Sequence, residues 1–183
     1  RINFNWDKFH IEIVQGVTAL IKQKPLVMIP GPTPVAEPIR QGLASPTYGH
    51  TYGPFVSIYK ECLAGLREIF QAEHMIVVGG AGTLSMEMGL INIVRPGEAI
   101  LVGSHGRFGD RYGAVARPFG IQADVLTCEA GKRVPLAEID AALATGKYTA
   151  VTLTHVDTSS GVMSLPKEVG ELARKHGVFY ILD

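Results

Sequence analysis

Between residues 74 and 182 the chain alternates short, apolar, β-rich runs with stretches of helical periodicity, and this alternation limits its fold more than any other feature. The runs lie at 74–78, 99–102, 122–126, 150–154 and 178–182. Helical patterns over 83–94, 107–117, 135–144 and 166–176 separate them. Parallel neighbours need a crossover about as long as a helix, so this repetition predicts an α/β fold. The expected architecture is three-layer, a mostly parallel sheet with helices on both faces. With 183 residues, 46% of them hydrophobic, and a mean hydropathy of +0.19, the chain can bury such a core.

The residues ahead of 74 are patterned differently. Asp7 is placed to cap a helix over 8–24, which Pro25 ends. Residues 26–29 are expected to be extended. Pro30-Gly31-Pro32-Thr33-Pro34 cannot be regular, because proline fixes φ and lacks a donor. Residues 41–54 read as a long loop carrying Tyr48, His50 and Tyr52, which either line a site or pack at a subunit interface. A helix follows over 55–70. The expected division is an N-terminal arm with a substrate-side loop at 1–33, then a single large-domain portion at 34–183.

Composition removes several function classes. Seventeen basic and seventeen acidic residues give zero net charge, with no basic stripe, which excludes nucleic acid or a membrane surface as the main partner. No apolar run is long enough to span a bilayer. Two cysteines, Cys62 and Cys128, do not make a disulfide framework, so the expected compartment is the reducing cytoplasm. Both are expected in regular elements. The chain starts Arg1-Ile2-Asn3 without Met or a signal-peptide layout, so its true N-terminus is expected to be missing.

In a parallel sheet, the loops that follow strand carboxyl ends gather on one edge, where ligands bind. Here those loops are 79–83, 103–108 and 155–161, with Asp183 following the last strand. Gly80-Ala81-Gly82-Thr83 is either a tight turn or an anion cradle at a helix N-terminus. It is not a P-loop, for no Gly-Lys-Ser/Thr follows, and position 85 is Ser where a dinucleotide fingerprint has its third Gly. Phe108, between Gly106 and Gly109, is either a hydrophobic plug or a ring that stacks on a flat heterocycle. Residues 154–161 are rich in hydroxyls, either a solvated turn or donors to a cofactor oxygen. His155 reads as structural, because no Gly-x-Ser-x-Gly elbow accompanies it. No His/Cys/Asp cluster has metal-ligand spacing. Asp183 is either a cap or a site carboxylate. A phosphate cradle with a strand-end carboxylate suits pyridoxal phosphate, whose ring acts as an electron sink while the carboxylate keeps its nitrogen protonated.

These motifs together resemble the class V aminotransferases of pyridoxal phosphate fold type I, in the alanine–glyoxylate and serine–pyruvate branch. The carriers are Pro30-Gly31-Pro32-Thr33-Pro34-Val35, Val78 to Glu87, Pro96-Gly97-Glu98 with Gly106-Arg107-Phe108-Gly109, Thr154 to Val162, and Tyr180-Ile181-Leu182-Asp183. The resemblance implies that Ala81, Gly82 and Thr83 hold the cofactor phosphate and that Phe108 stacks on the ring. It implies that Thr158 bonds the phenolic oxygen, that Asp183 pairs with the pyridine nitrogen, and that Gly31 approaches the substrate. It implies transamination from a small amino acid, alanine or serine, to a 2-oxo acid such as glyoxylate or pyruvate, in a homodimer. The family's Schiff-base Lys and small C-terminal domain would lie beyond residue 183. Lys132, Lys147, Lys167 and Lys175 do not suit the role, so this chain alone is expected to be an inactive portion of a longer enzyme.

Three other readings stand beside it. One is a ureidoglycine–glyoxylate aminotransferase. Another is a cysteine desulfurase-like enzyme, which Phe108 opposes because that chemistry needs a stacked His and a mobile Cys. The third is a non-catalytic α/β module that binds nucleotide or dimerises.

Overall fold

The computed structural model describes residues 26–29 and 31–183. The helix expected over 8–24 lies outside the described residues, as does Pro30. The chain divides into two compact units, Arg1–Ser57 and Ile58–Asp183.

In the first unit, residues 26–29, expected to be extended, belong to no strand. The Gly31–Pro32 peptide is cis. A short helix, α1 (Glu37–Leu43), then forms, with proline in its first turn and Glu37 paired to Arg40 one turn on. The pattern predicts a loop from 41 and gives no sign of this helix. Seven residues give too weak a periodic signal to be read beside the prolines. Tyr48 and Tyr52 stack with ring centroids 5.8 Å apart, and both are exposed. Helix α2 (Gly53–Phe70) begins two residues before its expected start and runs past the end of this unit.

The second unit holds the α/β architecture. Its elements are α3 (Gly82–Ile91), β1 (Ala99–Gly103), α4 (Arg107–Ala116), β2 (Gln122–Leu126), α5 (Leu136–Leu143), β3 (Ala150–Leu153), β4 (Val156–Asp157), β5 (Val162–Met163), α6 (Pro166–His176) and β6 (Phe179–Leu182). Four strands make a sheet in the order β2-β1-β3-β6, every pair parallel. The central strands β1 and β3 are buried throughout and are continuous apolar runs apart from Thr152 and Gly103, as sheets covered on both faces require.

Strand pleating sorts side chains between two cores. Ile100 and Val102 face Met86, Leu90 and Val94 of the α3 segment and Tyr112 and Val115 of α4. Leu101, Val151 and Leu153 face Ile139 and Leu143 of α5 and Val169 and Ala173 of α6. Helices therefore lie on both faces, and the three-layer expectation holds. Burying a Leu or Ile side chain is worth about 1.5–3 kcal/mol, so these two clusters dominate the stability of this unit.

Two expectations are corrected. Residues 74–78 form no strand. Ile76 is 77% exposed, and the run finds no hydrogen-bonding neighbour among the described residues. β-propensity describes how a segment packs and pairs, so it cannot make a strand without a partner. Residues 155–161 are not a simple loop either. Val156 and Asp157 pair antiparallel with Met163 and Val162 around a tight turn that Gly161 closes at φ +69°. In addition, Cys128 lies in the loop after β2, not in a regular element, and Cys62 lies in α2 as expected. No helix of the described residues is long and apolar enough to cross a membrane.

Candidate active site

At the carboxyl ends of β1, β3 and β6, three segments come together: 104–109, 154–161 and Asp183. Asp183 is pinned between β3 and the loop beyond it. Its amide donates to the Leu153 carbonyl (2.9 Å), and its carbonyl accepts from the His155 amide (2.8 Å). The parallel ladder thus extends one residue past β6 and presents the carboxylate at the sheet edge. Burial pushes the Asp183 carboxyl up, and so does the charge of Asp157. The Thr154 hydroxyl and Arg111 pull in the opposite direction without cancelling this. The Thr154 hydroxyl oxygen is buried and has no other partner. Beneath the edge, burial and Asp183 push the Tyr112 phenol up, so it stays protonated.

Asp157 is not among the site residues that the sequence predicts. It is 0% exposed, yet it is ionised. Burial pushes its carboxyl up, but hydrogen bonds from Ser159 and from the Gly109 and Phe108 amides outweigh that and hold it below the ordinary value. Phe108 N donates at 2.8 Å and Gly109 N at 3.2 Å to one oxygen, and Ser159 N and Oγ donate at 3.0 and 2.6 Å to the other. Ser159 Oγ in turn accepts from Arg107 N at 2.8 Å. Asp157 is therefore the N-terminal cap of α4, supplied from a segment 48 residues or more away in the chain. The approach depends on Gly106. A Cβ there would lie 2.4 Å from the Asp157 carboxyl carbon.

The cap fixes the backbone of Phe108. One turn on, Arg111 sits over the Phe108 ring, its guanidinium carbon 4.7 Å from the centroid. The same guanidinium donates from Nη1 to Thr83 Oγ1 at 3.1 Å. Thr83 belongs to the first turn of α3. That turn has Ala81 at its cap position with no side-chain cap bond, and the Leu84 amide donates to the Ala81 carbonyl at 2.9 Å. Arg111 was not among the residues singled out from sequence. Its signal was its place one helical turn after Phe108.

Of the residues expected at the site, Thr83, Phe108 and Asp183 are thus linked, the first two by direct contact with Arg111 and the third by charge. Ala81 and Gly82 are exposed at the open start of α3. Thr158 is exposed in the β4–β5 turn beside Asp157, with no side-chain hydrogen bond among the described residues. Gly31 belongs to the other unit. His155 contributes backbone bonds, and its side chain is exposed. His105 is buried with neither ring nitrogen bonded, and burial pushes its pKa down, so it is neutral. Among the described residues, no group of His, Cys, Asp and Glu is placed to hold a metal ion. Lys132, Lys147 and Lys175 pair with Glu129, Asp124 and Asp140, and Lys167 is exposed on α6.

Comparison with known proteins gives a consistent answer. The family model described as aminotransferase class-V matches residues 41–183. The alanine–glyoxylate aminotransferase 1 of Saccharomyces cerevisiae is 33% identical over 175 residues, which is 90% of this chain and 46% of that protein. A protein of Anabaena cylindrica named soluble hydrogenase 42 kDa subunit is 34% identical over 163 residues, 87% of this chain and 43% of that one. Among solved structures, the ureidoglycine–glyoxylate aminotransferase of Bacillus subtilis superposes with a TM-score of 0.82 at 27% identity. It covers 88% of this chain and 43% of that one. The chain spans under half the length of the relatives it matches.

Proposed function

The chain belongs to the class-V aminotransferases, pyridoxal phosphate-dependent enzymes of fold type I, and on that premise we propose that its sheet edge is the cofactor-binding part of a transaminase site. The reaction proposed is transfer of the amine of alanine or serine to a 2-oxo acid such as glyoxylate or pyruvate. The observation that carries the assignment is the joining of Thr83, Phe108 and Asp183 around Arg111.

The donor set fits the cofactor. An uncapped helix start with the Thr83 hydroxyl suits a phosphate. A half-buried Phe108 with one ring face covered by Arg111 leaves the other face for a planar heterocycle. A carboxylate pinned at the sheet edge suits a protonated ring nitrogen. When bound, the cofactor supplies an electron sink for charge developing at the substrate's α-carbon.

The protein's part is then to bind and orient. Ala81, Gly82 and Thr83 are assigned to the phosphate, Phe108 to the ring face and Thr158 to the phenolic oxygen. Asp183 holds the proton on the ring nitrogen, and Gly31 approaches the substrate through its backbone. The division into an arm at 1–33 and a cofactor-binding portion at 34–183, a homodimeric state and a cytoplasmic location belong to the same proposal. The two unbridged cysteines support the last of these.

A second donor, ureidoglycine, is supported by the likeness to the Bacillus subtilis enzyme. The desulfurase reading is opposed by Phe108 and by Cys128, whose thiol burial and Glu138 push up. The test is Asp183→Asn in the natural protein. Turnover with alanine and glyoxylate should fall by several orders of magnitude while part of the cofactor stays bound. Near-normal turnover would remove Asp183 from its role.

A further inference from the structure

We propose that Arg111 is a positioning residue that makes the site selective for the phosphorylated form of the cofactor, by turning the Thr83 hydroxyl into a committed anion donor. The inference rests on the cofactor reading above and adds a residue to it.

The argument follows hydrogen-bond direction. A guanidinium only donates. The bond from Arg111 Nη1 to Thr83 Oγ1, 3.1 Å long, therefore uses the hydroxyl as an acceptor and leaves its own proton to be donated elsewhere. Thr83 sits in the first turn of α3, where the cap residue Ala81 has no side-chain acceptor to offer and the Leu84 amide is taken by the Ala81 carbonyl at 2.9 Å. A donating hydroxyl at a helix start, beside a fixed positive charge, favours an anion. The neighbouring helix start, on α4, already holds the Asp157 carboxylate, so it repels a second one.

Arg111 cannot drift from this task. Its guanidinium also lies 4.7 Å from the centre of the Phe108 ring, and Asp157 fixes the backbone of that residue. The planar fork spans the ring and the hydroxyl at once, a geometry that an ammonium does not reproduce. One face of Phe108 is thereby closed. The other face would be left for the cofactor ring, and Thr83 would be among the groups that hold its phosphate.

The test uses the natural protein freed of cofactor, with pyridoxamine 5'-phosphate and pyridoxamine as probes, and titration calorimetry as the readout. Neither probe needs a covalent lysine. The unmodified protein should prefer the phosphorylated probe. Arg111→Met should cut that preference about tenfold, the worth of one charge-assisted contact. Its affinity for plain pyridoxamine should change by about threefold or less, from the weakened ring stack. Thr83→Val should cut the preference similarly, and Arg111→Met should add no further loss in that background. If Arg111→Met does not fold, Arg111→Gln, which keeps the stem but not the charge, should lower the preference in its place.

An unchanged preference in the Arg111 variants overturns the inference while the cofactor reading stands. So do additive losses in the double variant, or a rise in affinity for both probes. The rise would mean that the guanidinium merely occupies the ligand's place. Failure of the unmodified protein to bind either probe overturns the cofactor reading, and this inference with it.

Discussion

Removing the Asp157 carboxylate should cost this fold more than any other single polar change at the sheet edge. In Asp157→Ala four donors lose their acceptor at once: the amides of Phe108, Gly109 and Ser159 and the Ser159 hydroxyl. Water can replace the bonds to Ser159, which is exposed, so they contribute about 0–1 kcal/mol. Losing a helix N-cap costs about 1 kcal/mol. Gly109 is buried, and leaving its amide unbonded costs about 1–3 kcal/mol. The sum is about 3 kcal/mol, which in a chain of this size lowers Tm by about 6–12 °C. Asp157→Asn keeps one acceptor oxygen and should lose about half as much.

The pH dependence has a definite sign. The folded carboxyl lies below its unfolded value of about 3.9, so unfolding takes up a proton in acid. The stabilisation is complete above about pH 5 and is lost as pH falls through the folded pKa. Asparagine does not titrate there. The difference in Tm between the protein and Asp157→Asn, measured by scanning calorimetry, should therefore be largest near neutrality and shrink toward about pH 3. A drop of under about 2 °C for Asp157→Ala would refute the capping role, and so would a difference that stays constant into acid.

Gly106→Ala should reproduce the Asp157→Ala loss, because its Cβ would lie 2.4 Å from the Asp157 carboxyl carbon. In a thermal-melt cycle the two changes should be strongly non-additive, and full additivity would deny the contact. Cys128, whose thiol burial and Glu138 push up, should react with a disulfide reagent more slowly at neutral pH than a free cysteine peptide does. Its rate should keep rising above about pH 9, and a plateau below that would contradict the assignment.

What could be read from the sequence depended on whether a local rule decided the outcome. Helix α6 was legible because proline opens it and Gly177, at φ +67°, closes it. Strand β2 was legible because its run is bounded by Gly120 and a following loop. The segment 74–78 has the same apolar character, but a strand also needs a neighbour, which no local pattern supplies. The β4–β5 pair was missed because two-residue strands leave no periodic trace. Arg111 and Asp157 escaped for a deeper reason. Their partners, Thr83 and Phe108, are 28 and 49 residues away, and no spacing rule connects them until β1 and β3 lie side by side.

The two helix starts at this edge also support the proposal that it takes a ligand with opposite charges at its ends. The start of α4 is closed by a buried, ionised Asp157, so that part of the edge is negative. Asp183 adds to it, and the charge of Asp157 opposes the ionisation of Asp183 unless a cation approaches. The start of α3 has no such carboxylate and has Arg111 beside it, so that part is positive. A uniformly anionic ligand, such as a dinucleotide, would satisfy the second region and be repelled by the first. A ring protonated at its nitrogen and bearing a phosphate would satisfy both, and a cation beside Asp183 would relieve the repulsion that raises its carboxyl. The polarity of the edge, set by which helix start carries its own carboxylate, therefore favours pyridoxal phosphate over the other flat anions a sheet of this kind can bind.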